Sequence, residues 1–191
     1  MATLEVRPVT PERWADLEQL FGPSGAYSGC WCMWLRLTAQ EFAENGNAGN
    51  RTALHAIVDE GRVPGLLGYR DGEPAGWVSV APRDDYGRLD RSPVTKRVDD
   101  ARVWSIVCFF IAKPHRRSGV ARALLDAAVA YAAERGAAIV EGYPLDPAER
   151  RVGDADAWHG TLAMFTAAGF TVVARRRAAR PMVRRLIHAS G

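Results

Sequence analysis

Apolar and polar positions alternate from Thr3 to Val9, the period of a half-buried strand. Pro11 suits the first turn of a helix, and Trp14, Leu17 and Leu20 share one face of the stretch ending near Phe21. Gly22 to Gly29 is rich in glycine and serine and reads as a loop. A dense apolar block follows, Cys30-Trp31-Cys32-Met33-Trp34-Leu35. Thr38 fits the N-cap of a second helix, which Asn45 to Asn50 interrupts, so two helical pieces are expected, the second ending at Gly61. Leu66 to Tyr69, Asp71-Gly72 and Ala75 to Val80 read as a hairpin.

Residues 82–101 are polar and broken by Pro82, Gly87 and Pro93, which predicts a long connection ordered by ligand. Val103 to Ile111 is apolar enough for a buried strand. A basic loop, Lys113 to Gly119, leads into a helix reaching Gly136. Ala138 to Tyr143 reads as a strand stopped by Pro144, followed by a charged loop over 145–157 and a helix from Trp158 to Ala168. Thr171 to Arg176 and Met182 to Ile187 close the sheet. Strands mixed with crossover helices predict an α/β fold, a mixed sheet with helices on both faces. No repeat or dividing linker occurs, so residues 1–191 read as one domain.

The stretch 103–136 carries the most chemical information. A strand feeding a glycine-containing loop at a helix N-terminus presents unpaired N–H groups together with the positive end of the helix dipole. Arg116, Arg117 and Arg122 crowd a first turn that ordinarily favours acidic side chains. A phosphate or pyrophosphate resolves that conflict; arginines screened in solvent are the alternative. Neither G-x-x-x-x-G-K-[ST] nor G-x-G-x-x-G is present, which disfavours a P-loop or a dinucleotide-binding turn.

Arg116-Arg117-Ser118-Gly119-Val120-Ala121 fits the pattern Arg/Gln-x-x-Gly-x-Gly/Ala and resembles the pyrophosphate-binding loop of the GCN5-related N-acetyltransferase (GNAT) family. Ala163 to Phe170 is similar to that family's late helix, which ends in Gly-Phe. The resemblance implies an α/β (α+β) fold with a mixed, mostly antiparallel central sheet and acetyl-CoA as cosubstrate. It also implies transfer to a primary amine. By resemblance, the backbones of Phe109 and Ile111 would pair with the pantetheine arm. The amides of Arg116, Arg117, Ser118, Gly119, Val120 and Ala121 would take the pyrophosphate, helped by the side chains of Arg116, Arg117 and Arg122. One position departs from the pattern: Phe165 stands where many members carry a tyrosine that protonates the departing thiolate. The resemblance therefore supports CoA binding more strongly than acetyl transfer.

Amine acetylation needs a neutral amine, an aligned thioester, a polarised carbonyl and a protonated leaving group. Glu141 and Tyr143 lie two apart on one strand face and are the candidate base and acid, with plain burial as the alternative. His159, read as a surface residue, and Cys108 are weaker candidates. Tyr27, Trp31, Met33 and Trp34 are candidates for an apolar acceptor pocket, and equally for core. Asp84, Asp85, Asp154 and Asp156 are loop acids that could attract a cationic amine.

Bulk properties change this picture little. A net charge of +3 is mild. The cluster Arg175, Arg176, Arg177, Arg180, Arg184 and Arg185 is broken by apolar residues at strand spacing, which reads as solvated strand faces rather than a nucleic-acid surface. Three cysteines without a C-x-x-C pair predict reduced thiols and no metal. No apolar run approaches a membrane span, and the N-terminus lacks a signal-peptide layout, so a cytoplasmic protein is expected. The expected acceptor is a small-molecule amine. A protein N-acetyltransferase and a non-catalytic acyl-CoA sensor or scaffold are the alternatives, and the last strands are a candidate dimer interface.

Overall fold

The computed structural model describes residues 3–149 and 158–187. Its centre is a seven-stranded sheet in the order β1-β2-β3-β4-β5-β7-β6. The strands are β1 (Leu4–Pro8), β2 (Gly65–Arg70), β3 (Glu73–Pro82), β4 (Trp104–Ile111), β5 (Ile139–Gly142), β6 (Thr171–Ala174) and β7 (Met182–Leu186). Only β4 and β5 run parallel; the other neighbours are antiparallel, as the resemblance implied. The last strand enters the sheet between β5 and β6.

Period-two alternation decides which helices cover which face. On one face Leu67 and Trp77 pack with residues of α1 (Trp14–Phe21) and α2 (Ala39–Asp59). On the other, Leu66, Val78 and Ile106 pack under α4 (Val120–Glu134) and α5 (Leu162–Ala167). Thr38 and Glu41 form a reciprocal cap on α2. The two expected helical pieces meet at a kink, where Gly46 adopts φ +57°.

The long connection expected over residues 82–101 lies between β3 and β4 and carries short helical turns. It forms a 3-10 turn, Arg83–Asp85, and a short helix α3 (Arg88–Arg91). The cause is Arg83, which is buried and donates to Glu141, Tyr143, Asp90 and the Thr95 carbonyl, all within 2.7 Å. The late helix is shorter than expected: Gly160 sits at φ +70°, and Thr161 caps α5 by accepting from the Met164 N–H at 3.3 Å. Asp154 and Asp156 lie outside the described residues.

Candidate active site

The site is made by two faults in the sheet that fall at adjacent residues. β4 and β5 pair through Trp104–Val140, Ser105–Glu141 and Ile106–Gly142, and pairing then stops. Beyond Gly142 the chain turns to a different partner: the Leu145 N–H donates to Gly160 at 3.0 Å, and the Leu162 N–H donates to Leu145 at 2.7 Å. On the other side of β4, Ser79 opposes Cys108 and Val80 opposes Ile106, so Val107 is left as a bulge. A bulge re-aims side chains locally. Here it lets Val107, Cys108, Phe109 and Phe110 all reach one pocket.

The fork leaves backbone groups of β4 to be satisfied. The Ala112 N–H donates to Ala75 on β3 at 3.0 Å. By strand alternation the N–H groups of Phe109 and Ile111 therefore point the opposite way, into the fork. The Ile111 carbonyl accepts from Arg116 Nε at 3.4 Å. The fork's floor is aromatic. Phe165 meets Phe109 edge-on, with centroids 6.1 Å apart, and Phe170 at 5.0 Å.

At the far end of β4 the basic loop turns into α4. Arg117 and Gly119 both adopt positive φ, +59° and +86°, and no side chain caps the helix. Its first N–H groups thus face outward, the arrangement that accepts an anion. A Cβ at Gly119 would meet nothing within 4 Å, so the approach is open. Ser118 donates to the His115 carbonyl at 2.6 Å, which fixes the loop. Arg122 departs from the expected phosphate cluster: it is paired along the helix with Asp126 at 2.8 Å.

The pocket itself has a volume of about 260 Å³. It lies between the bulged stretch of β4 and the segment before α2, with Tyr27, Trp34, Phe42 and Trp158 among its lining residues. The sequence-predicted aromatic block divides here. Tyr27 and Trp34 reach the pocket. Trp31 and Met33 do not; both are buried in the core below α1 and α2, where Trp31 packs on Trp14 and Phe21 and donates to Asn47 at 2.6 Å. Cys108 joins Cys30 and Cys32, far from it in sequence, and all three border the pocket as free thiols.

A sequence model of the acetyltransferase (GNAT) family matches residues 31–150. The chain belongs to this family. The match covers β2 to β5 and the basic loop before α4; the pocket residues Ala26 to Cys30 and Trp158, and Phe165 at the fork, lie outside it. Solved GNAT structures share the fold. An acetyltransferase of the GNAT family from Streptococcus agalactiae is 13% identical, with 97% of this chain and 96% of that one covered at a TM-score of 0.58. The PaiA N-acetyltransferase of Thermoplasma acidophilum, solved with coenzyme A, is 12% identical over 97% and 99%, with a TM-score of 0.54. A ribosomal-protein-alanine N-acetyltransferase from Brucella melitensis is 16% identical over 96% and 99%, also at 0.54. A comparison with curated proteins gives no match.

In this GNAT chain the expected acid–base pair sits below the pocket rather than on its wall. Glu141 is fully buried. One carboxylate oxygen accepts from Arg83 and from the Tyr143 hydroxyl, both at 2.6 Å; the other accepts from Arg184 at 2.7 Å. Tyr143 also contacts the Ser105 hydroxyl at 2.9 Å. Burial, then the neighbouring Glu141 charge, holds the Tyr143 phenol well above its usual range. Neither residue lines the pocket; Val107, which does, packs in the same cluster as Tyr143. The loop acids are also engaged elsewhere: Asp85 pairs with Arg36 at 3.1 Å, and Asp84 with Arg97.

The basic tail is solvated only in part: Arg175, Arg176 and Arg177 are exposed, whereas Arg184 is buried. Arg184 is tied to Glu141 and Asp99, Arg175 to Asp146, and Arg185 to the Ala168 carbonyl. Arg176 donates to the carbonyls of Lys96 and Arg97, pinning the connection before β4. His159, expected at the surface, is buried and lies 2.6 Å from Arg180. Among the described residues, no cluster of three or more His, Cys, Asp or Glu could hold a metal ion. No described helix is long and apolar enough to cross a membrane.

Proposed function

We propose that this protein transfers an acetyl group from acetyl-CoA to the primary amine of a small molecule. The observation that carries this reading is the coincidence of fork and pocket. β4 loses its β5 partner after Ile106, and the next four residues line an apolar cavity. The N–H groups of Phe109 and Ile111 give an extended amide-bearing arm a strand to pair with. The amides opening α4 suit a pyrophosphate, with Arg116 and Arg117 close by. When bound, acetyl-CoA would supply the acetyl group as a thioester; the amine nitrogen would bond to the acyl carbon, the carbon–sulfur bond would break to release the CoA thiolate, and the proton lost by the amine would pass through solvent to that thiolate, giving the amide and free thiol.

The protein's own contribution in this reading is alignment and exclusion of water. A free N–H of β4 at the fork is placed to polarise a carbonyl. Phe165 cannot donate a proton to the thiolate. Glu141 and Tyr143 are proposed as positioning residues: three hydrogen bonds pin the carboxylate beneath β5, holding the last paired rung before the fork. The pocket's aromatic lining and volume of about 260 Å³ favour a small acceptor over a protein N-terminus or lysine.

The phenylalanine at 165 favours a second reading, an acyl-CoA sensor that binds without turnover. Calorimetry with acetyl-CoA separates these from any other function. Intact protein should bind, and Gly119→Trp should not, because the new side chain stands over the α4 N-terminus. An intact protein that fails to bind overturns both readings. Release of free thiol with an amine library then distinguishes enzyme from sensor.

A further inference from the structure

The described residues that line the proposed acceptor pocket include no carboxylate. The wall is aromatic and aliphatic, with Ser28, the hydroxyl of Tyr27, the indole N–H groups of Trp34 and Trp158 and three thiols as its polar side-chain groups. Two of those thiols, Cys30 and Cys108, are held neutral. Burial and then Cys32 push Cys30 up to about 11, and a hydrogen bond from Cys32 together with burial raises Cys108 well above its ordinary value. A charge beside this lining is positive. The Arg88 guanidinium stacks on Trp34 at 3.8 Å, with Nη2 buried and unpartnered among the described residues. Phe42 meets Trp34 edge-on at 5.1 Å.

These features set a condition on the acceptor. An alkylamine has a pKa near that of lysine, about 10.4, so at pH 7 only about one molecule in two thousand is neutral. Bringing its ammonium into an uncharged apolar pocket beside a guanidinium sacrifices hydration with no counter-charge in return. No described side chain on the wall is ionised to take its proton. An amine whose lone pair is delocalised into a ring is already neutral at pH 7. It needs neither a counter-ion nor a base, and its flat body matches a wall built from Trp34, Phe42, Phe110 and Trp158.

We propose that the acceptor is a weakly basic arylamine, a primary amino group carried directly on a flat one- or two-ring apolar body. This rests on the acetyltransferase reading and narrows it. The neutral pocket also accounts for a site with no assigned general base: the substrate class makes one unnecessary.

The test compares two probes with the same ring system, 2-naphthylamine and 2-naphthylmethylamine, by calorimetry on the full chain. At pH 7.5 the arylamine is neutral and the benzylic amine is a cation. The arylamine should bind at least tenfold more tightly, and the gap should narrow as pH rises to 9.5 and the cation loses its proton. Trp34→Ala, at a partly exposed position, should weaken the arylamine about tenfold. Ser28→Asp should instead improve binding of the cation, because Ser28 sits at φ +50°, a conformation aspartate tolerates. Equal affinities, tighter binding of the cation, or no arylamine binding would overturn the inference. Acetyl-CoA binding measured on the same preparation keeps the readings apart. Acetyl-CoA bound without arylamine leaves the acetyltransferase standing and removes this substrate class. Arylamine bound without acetyl-CoA removes the acetyltransferase reading and the acceptor role with it, leaving only an arylamine-binding pocket.

Discussion

Phe165 occupies the space that a side chain at Gly142 would need. A Cβ built on Gly142 would stand 2.3 Å from the Phe165 ring, and Gly142 is the last β5 residue paired to β4. Gly160 gives way in the same manner, its Cβ direction meeting Met164 at 2.7 Å and Phe165 at 3.1 Å. The aromatic ring is thus seated between two glycines at the point where the strands part. Gly142→Ala should cost about 1–3 kcal/mol, as overpacked cores do. Phe165→Leu in the same chain should recover part of that loss. A double-mutant cycle by urea denaturation reads the coupling.

Arg83, Glu141 and Arg184 form a buried ion triad that joins the β3–β4 connection to β5 and β7. Removing one member leaves uncompensated charge, so Arg83→Ala or Glu141→Gln should cost about 3–5 kcal/mol. Arg83→Ala should also open residues 84–100 to limited proteolysis. Glu141→Gln separates positioning from proton transfer. A positioning residue lowers stability and leaves the shape of the kcat–pH profile intact, whereas loss of one limb would make Glu141 the base.

Arg117 holds φ +59°, a conformation that costs a branched-free L residue about 1–2 kcal/mol. Arg117→Gly should relieve this and leave stability unchanged or up to about 1 kcal/mol higher. The same change removes a charged donor beside the α4 N-terminus. Acetyl-CoA affinity should therefore fall about tenfold, the scale of one charge-assisted hydrogen bond. Arg122→Ala should weaken binding less, because Arg122 is already paired with Asp126.

Alkaline pH should destabilise the fold. Cys30 is raised from 9.0 to about 11, mainly by burial. Tyr86 is raised from 10.0 to about 12 by burial, and Tyr143 moves the same way. Groups raised in the folded state keep their protons longer than in the unfolded chain. Their contribution is complete below pH 9 and is lost as pH climbs through about 11 to 12. Denaturation midpoints measured from pH 8 to 11 should fall, and Cys30→Ala should flatten the lower part of that limb.

The sequence alone determined the order of the strands and the glycine loop that opens α4, because both depend on local rules. Periodicity marks Leu17, Trp77 and Ile106 as buried, a capping box starts α2 at Thr38, and a glycine at the head of α4 frees its amides. It did not determine the site's depth. Glu141 and Tyr143 share a strand face in the sequence as they do in the fold, but only tertiary packing brings Arg83 from the β3–β4 connection and Arg184 from β7 onto the same carboxylate. Trp31 and Trp34 look alike in the chain; one is stacked into the core by Trp14 and Phe21, and the other is left at the pocket. The bulge at Val107 and the parting after Gly142 are properties of strand register, set by what each strand finds beside it. No single strand encodes them, so the pocket they open is decided by the assembled sheet.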